Sequence, residues 1–188
     1  MNEAHAACGG DEWRELMRSV VPAAIGDVDL GDDVLEVGPG YGAATDVVSR
    51  SVKSLTAVEI DDKLVDYLTD RFAGAAQVHV QQGDATALEF DDRRFTGAIC
   101  FTMLHHVPSV ELQDRLFAEV CRVLRPGAAL VASDNLANPA LEAGHEGDTY
   151  NPIDPETLAA RLEAAGFVDV NVTTNPYAWQ ARAYAHSH

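Results

Sequence analysis

The sequence predicts a doubly wound α/β sheet of about seven strands, mostly parallel, with the last strand antiparallel to the rest. Three observations carry this. β-rich runs alternate with helix-period runs from residue 33 to residue 133, and repeated βα units bury a parallel sheet between layers of helices. The runs at 33–38, 95–101 and 128–133 are apolar almost throughout, as strands buried on both faces are. The last two strand-like runs, 167–172 and 177–185, alternate in polarity and are separated only by Thr173 to Pro176. A connection that short joins antiparallel neighbours.

Each element has its own local signal. Trp13, Leu16, Met17 and Val20 recur at helical spacing, so residues 11–21 read as a helix with Asp11 as N-cap and Pro22 as its end. DVLEVG (33–38) is a short strand leading into glycines, and 42–51 the helix that follows. SLTAVE (54–59) is a second strand. Asp61 caps a helix with Leu64, Leu68 and Phe72 on one face, stopping near Gly74. QVHVQ (77–81) and FTGAICF (95–101) are the third and fourth strands. Ser109 caps a helix carrying Leu112, Leu116, Phe117, Val120 and Leu124, with Pro126-Gly127 as its stop, and AALVAS (128–133) follows as a strand. Asp154-Pro155 starts the last helix, an N-cap followed by proline at the first turn, and Gly166 ends it. Residues 135–153 read as a long loop, a length that in compact domains belongs to functional or mobile segments.

Composition narrows the function. The 188 residues are 47% apolar and 23% charged, enough for one domain with an ordinary core. Net charge is −17, which argues against a partner held through phosphates and against a polybasic membrane anchor. No apolar run spans a bilayer, and the first thirteen residues have neither a basic nor an apolar leader region. The expectation is a cytoplasmic domain with a small-molecule partner, no nucleic acid and no membrane; its oligomeric state is not legible. The three cysteines, Cys8, Cys100 and Cys121, form no CxxC pair, which speaks against a disulfide framework or a zinc site, and Cys100 and Cys121 read as small core residues.

The chemistry begins where the first strand ends. Glu36-Val37-Gly38-Pro39-Gly40-Tyr41-Gly42 places a glycine-rich turn between a strand and a helix, so backbone can approach a ligand and the helix N-terminus offers unpaired N–H groups. Glu59 ends the second strand about 20 residues on, where an acid accepts ribose hydroxyls. To this point a nicotinamide dinucleotide fits equally well, because Gly38, Gly40 and Ala43 satisfy G-x-G-x-x-G/A. Gly83-Asp84-Ala85-Thr86, after the third strand, separates the two.

With VLEVGPGYG (34–42), AVEID (57–61), QQGDAT (81–86), FTMLHHV (101–107) and RVLRPGAALVAS (122–133) in order and in register, the chain resembles the class I S-adenosylmethionine-dependent methyltransferases. The likeness is to the small type 11 branch that includes ubiquinone and menaquinone methylases. It covers residues 33–135 and, more loosely, the rest. Ala128 departs from it, where many members carry a second glycine. The resemblance implies a Rossmann-like fold and S-adenosyl-L-methionine as cofactor. It implies one methyltransferase domain over 1–188: a helical cover (1–25), a cofactor core (33–135) and an acceptor-side region (136–188). It also implies roles. Gly38, Gly40, Tyr41 and Gly42 line the methionyl part, and Glu36 orders that loop. Glu59 holds the ribose, Ile60 packs on the adenine, Asp84 and the Ala85 N–H read its edge, and Phe101 and Thr102 pass beside the amine and sulfonium.

His105 and His106 follow the fourth strand, where open α/β sheets place ligands. A neutral imidazole there takes a proton from an acceptor hydroxyl or carbon acid; His106 is the first catalytic candidate and His105 the second, against capping or packing roles for both. His105, His106 and Asp134 make a poor magnesium set, because magnesium prefers carboxylates and water, and no metal is expected. His5, Cys8 and Trp13 are placed either over the cofactor or in a frayed terminus, and His145 and Tyr150 facing either acceptor or solvent. The reading is methyl transfer to a small-molecule acceptor, O- or C-methylation favoured. A nicotinamide-dependent oxidoreductase and an inactive adenosyl-cofactor-binding module stand as alternatives.

Overall fold

The computed structural model describes residues 8–186; His5, Ser187 and His188 lie outside them. The elements are α1 (Asp11–Ile25), β1 (Asp33–Val37), α2 (Ala43–Val48), β2 (Ser54–Glu59), α3 (Asp62–Arg71), β3 (Val78–Gln82), β4 (Phe95–Phe101), α4 (Val110–Val123), β5 (Leu124–Asn135), α5 (Pro139–Gly144), α6 (Pro155–Ala164), β6 (Phe167–Thr174) and β7 (Ala178–Ala185). They form one sheet in the order β3-β2-β1-β4-β5-β7-β6. β7 is antiparallel to both neighbours and the other pairings are parallel. The fold class expected from alternation and from the short final connection is therefore the one observed.

Strand alternation divides the core. Val34, Ile99, Phe101 and Val131 face α1 and α2, packing with Met17, Val21, Ala24 and Val48. Leu35, Val37, Ala98, Cys100 and Leu130 face the other way, onto Leu116, Phe117 and Val120 of α4 and Leu158 and Leu162 of α6. Trp179 of β7 is fully buried in this second layer. β1 pairs with β2 on one side and β4 on the other. The chain reverses its direction of winding between them, and the carboxyl ends of β1 and β4 open the crevice where such sheets bind ligands.

Three local expectations are corrected. α1 does not end at Pro22 but runs to Ile25, and its N-cap is Gly10 rather than Asp11. The last turn survives the proline because Arg182 of β7 donates to the carbonyls of Ala24 (2.9 Å) and Ala23 (3.5 Å), covering acceptors that a helix end leaves unpaired. α4 stops at Val123, before Pro126-Gly127, because Leu124 already pairs with Phe95. β5 then bulges before resuming at Gly97↔Ala129. The 135–153 segment is not loop throughout: Asn138 caps α5, accepting from the Leu141 N–H at 2.9 Å. Among the described residues no helix is long and apolar enough to cross a membrane.

Candidate active site

The glycine turn is held from two sides. Glu59 is 6% exposed. Its Oε2 accepts from the Gly40 N–H at 3.1 Å, and its Oε1 from the N–H groups of Ile60 (2.9 Å) and Asp61 (3.1 Å). On the other side, Arg71 at the end of α3 donates to the carbonyls of Tyr41 and Gly42, both at 2.9 Å, and pairs with Asp46 of α2. Gly38, Gly40 and Gly42 all take positive φ, at 64°, 55° and 76°, a conformation that costs a side-chain-bearing residue energy. Nothing lies within 4 Å of where a Gly40 Cβ would stand, so the turn presents open backbone there.

Above this turn are two adjoining chambers of about 260 and 250 Å³. Gly38, Glu59, Ile60, Met103 and His106 line both. Met103 packs directly on the turn: a Cβ on Gly38 would come within 2.7 Å of its Cγ. The first chamber adds Glu36, Gly40, Tyr41, Phe101 and Thr102, with Trp13 and Met17 from α1. The second adds Gly83, Asp84, Ala85 and Thr86 below, and Val107, Leu112 and Leu116 opposite. Ile60 is 66% exposed at the rim, an apolar face open to a ring.

The first chamber is acidic. Glu36, Glu59, Asp61 and Asp148 line it, and among the described residues no lysine or arginine does. Glu36 is buried beneath the turn, accepting from the Thr45 hydroxyl at 2.7 Å. Burial, with smaller contributions from Asp46 and Glu59, pushes its carboxyl up to about 7. Thr102 takes φ +53° at the end of β4, and its N–H donates to the Ser133 carbonyl at 2.8 Å. That bend carries the chain from β4 into a 3₁₀ turn, Leu104–His106.

The two histidines of this turn part company. His106 is half-buried and lines both chambers; His105 is buried and lines neither. His105 is tied to Asp134 twice, by its backbone N–H to Oδ2 (3.0 Å) and by Nδ1 to Oδ1 (2.7 Å). Gly42 likewise lies outside both walls, because its Cα faces Leu68 and Arg71 of α3 and Phe72 just beyond it. The remaining residues named from the resemblance border one or both chambers, as do Cys8 and Trp13. Met17, Asp148 and the Arg71 clamp were not found from the sequence. Met17 falls on the apolar stripe of α1 that reads as core, and Arg71 reads as a last-turn helix residue. Cys100 is core: burial pushes its thiol well up.

A glycine-turn crevice at the switch point of a doubly wound sheet, with a carboxylate ending the neighbouring strand, defines a nucleotide-cofactor-binding α/β protein. Residues 35–132 match the family model of the methyltransferase domain. The chain belongs to the class I S-adenosylmethionine-dependent methyltransferases, type 11 branch, and S-adenosyl-L-methionine is the cofactor of that class. The backbone left open at Gly40, the buried Glu59 and the acidic first chamber suit that cofactor's adenosine and its cationic end.

Solved structures agree in fold. A Bacillus halodurans C-125 protein assigned to the methyltransferases superposes with a TM-score of 0.76 at 18% identity, over 90% of this chain and all of the other. A SAM-dependent methyltransferase of Methanosarcina mazei gives 0.71 at 18% identity, over 89% of this chain and 98% of that one. A ribosomal RNA small subunit methyltransferase A of Parasynechococcus marenigrum is 35% identical over 124 residues, 62% of this chain and 40% of that protein. Another of that name, from Geobacter sulfurreducens, is 40% identical over 67 residues, 36% of this chain and 24% of the protein. The chain thus spans less than half the length of these curated relatives. Their names correct one expectation drawn from net charge: nucleic acid is not excluded as a partner, because relatives of this core are named for an RNA. Charge summed over a chain does not report the field at the mouth of one crevice.

Proposed function

We propose that the protein transfers a methyl group from S-adenosylmethionine to an oxygen or carbon nucleophile of a small molecule, with His106 accepting the proton. The observation that carries this is the position of His106 on the shared wall of the two chambers. Bound cofactor supplies an electrophilic methyl on a sulfonium. Glu59 holds the ribose hydroxyls at the junction, exchanging part of its present bonding to backbone N–H groups. Asp84, Ala85 and Ile60 receive the adenine in the second chamber; its volume and apolar opposite wall suit a flat ring. Gly38, Gly40, Tyr41, Phe101 and Thr102 receive the methionyl end in the first, where Glu36 lies beneath. Gly42 and Arg71 act by holding the turn. His105 serves as a positioning residue behind His106. Catalysis rests mainly on holding acceptor and methyl in line, with proton removal added for a hydroxyl or carbon acid.

A second reading is carried by the relatives' names: the acceptor is an RNA base. One experiment separates them. The protein is incubated with methyl-labelled S-adenosylmethionine and, in parallel, a panel of phenols and enolisable carbonyls or a small-subunit ribosomal RNA. Label in a small molecule supports the first reading, and label confined to RNA selects the second.

Glu59→Ala tests the cofactor assignment. It removes charge-assisted bonds worth about 1–3 kcal/mol, so S-adenosylhomocysteine affinity by calorimetry should fall roughly 10- to 100-fold. Unchanged affinity removes Glu59 from the ribose site.

A further inference from the structure

We propose that His105, His106 and His145 form a binding site for a divalent transition cation of the zinc type at the acceptor side of the cleft. This rests on the reading above only in calling that side the acceptor's. One nitrogen from each of the three imidazoles lies within 4.8 Å of the other two. The rings are gathered rather than merely near: centroids are 4.1 Å apart for His105 and His106, 5.0 Å for His105 and His145, and 5.1 Å for His106 and His145. His105 and His145 are buried and His106 is half-buried.

The surroundings have the form that metal-binding imidazoles take. Such a histidine gives its second ring nitrogen to a carboxylate or a backbone carbonyl, which fixes the tautomer and raises ligand basicity. His105 Nδ1 sits 2.7 Å from Asp134 Oδ1, and Asp134 is itself 2% exposed and held by the N–H groups of His105 and Asn135. His145 Nδ1 sits 2.6 Å from the Leu141 carbonyl, which accepts a hydrogen bond and never donates one. Both bonds put the proton on Nδ1 and the lone pair on Nε2. Two outer partners of the kinds that accompany bound metal therefore stand behind two of the three rings. Tyr150 lies against His145 at 4.7 Å and walls the cluster on the loop side.

Three imidazole ligands select the cation. Zinc binds imidazole nitrogen at about 2.0–2.1 Å and is met by three histidines in sites that leave a fourth position open. Magnesium and calcium demand oxygen. Drawing the nitrogens to zinc contracts the cluster by at most about 1.5 Å, and His145, at the end of the six-residue α5, is the ligand placed to move. Because His106 lines both chambers, a cation on it borders the acceptor space, and its open position suits an acceptor oxygen. A hydroxyl coordinated there gives its proton to solvent and keeps the O–Zn bond. In that state His106 is a ligand and coordination replaces it as the base.

From the sequence alone, His105, His106 and Asp134 make a poor metal set. The fold adds His145, some 40 residues on, and makes Asp134 the partner of a ligand rather than a ligand.

The test is titration of the chelator-treated full chain with zinc against a chromophoric chelator, repeated with cobalt to read the d–d bands of a nitrogen-rich site. One equivalent should bind. Asp134→Asn should weaken binding roughly 10- to 100-fold, and His145→Ala by more than that. S-adenosylhomocysteine affinity should stay unchanged in His145→Ala, which verifies its fold and separates this site from the cofactor reading. His105→Ala is a second ligand variant; should it not fold, His145→Ala decides alone. No stoichiometric binding by the wild type, or binding undiminished in His145→Ala, overturns the proposal.

Discussion

His106→Ala should lower kcat by roughly 10²- to 10⁴-fold, the range a positioned general base contributes, while S-adenosylhomocysteine affinity stays near that of the wild type. The split follows from where the imidazole sits. His106 is on the wall common to both chambers, whereas the glycine turn is held by Glu59 and Arg71. The measurement is made with chelator present, so that the side chain acts as an imidazole alone. A second readout sets a base apart from a wall residue. Added imidazole should restore part of the rate. If kcat is normal with the true acceptor, His106 carries no proton, and the methyl is moved by positioning alone.

His105 is the instructive contrast. Side by side in the sequence, the two histidines carry the same chemical signal, and residue type alone ranks them only weakly. The 3₁₀ turn splits them, sending His105 inward to Asp134 and leaving His106 at the cleft.

Much of the site is legible in the sequence because its chemistry is local. A strand, a glycine turn that needs positive φ and a carboxylate ending the next strand lie within 27 residues, from Asp33 to Glu59. Parallel neighbours in register then bring Glu36, Val37 and Glu59 to one end of the sheet without further information. What was not legible depends on partners far along the chain. α1 outlasts Pro22 because Arg182 covers its last carbonyls from β7. The glycine turn is clamped by Arg71, which on its own helix looks like a favourable last-turn cation. His145 meets His105 only after the chain has crossed β5 and formed α5. The bulge in β5 moves its start to Leu124 because pairing with Phe95 outweighs the turn preference of Pro126-Gly127.

Glu36→Gln should stabilise the ligand-free protein at pH 8 and do little at pH 5. The carboxyl of Glu36 is buried beneath the glycine turn, and burial raises it to about 7 from an ordinary value near 4.5. Between those two values the unfolded chain gives up the proton more readily than the folded one. The contribution of Glu36 to stability is therefore full below about pH 4.5 and is lost as pH rises through about 7. A gap of that size corresponds to on the order of 3 kcal/mol. Glutamine keeps the acceptor for the Thr45 hydroxyl and has no proton to lose, so the variant should gain on the wild type across this window. Urea midpoints at pH 5 and pH 8 measure it, and a gap between the two proteins that does not change with pH sinks the idea. The same charge has a use. A buried carboxylate under an acidic chamber is costly while the chamber holds water and favourable once a cation fills it. S-adenosylmethionine should then raise the melting temperature of the wild type more at pH 8 than at pH 6, and that difference should shrink in Glu36→Gln. A ligand-induced shift equal at the two pH values would separate Glu36 from the cationic end of the cofactor while leaving its burial intact.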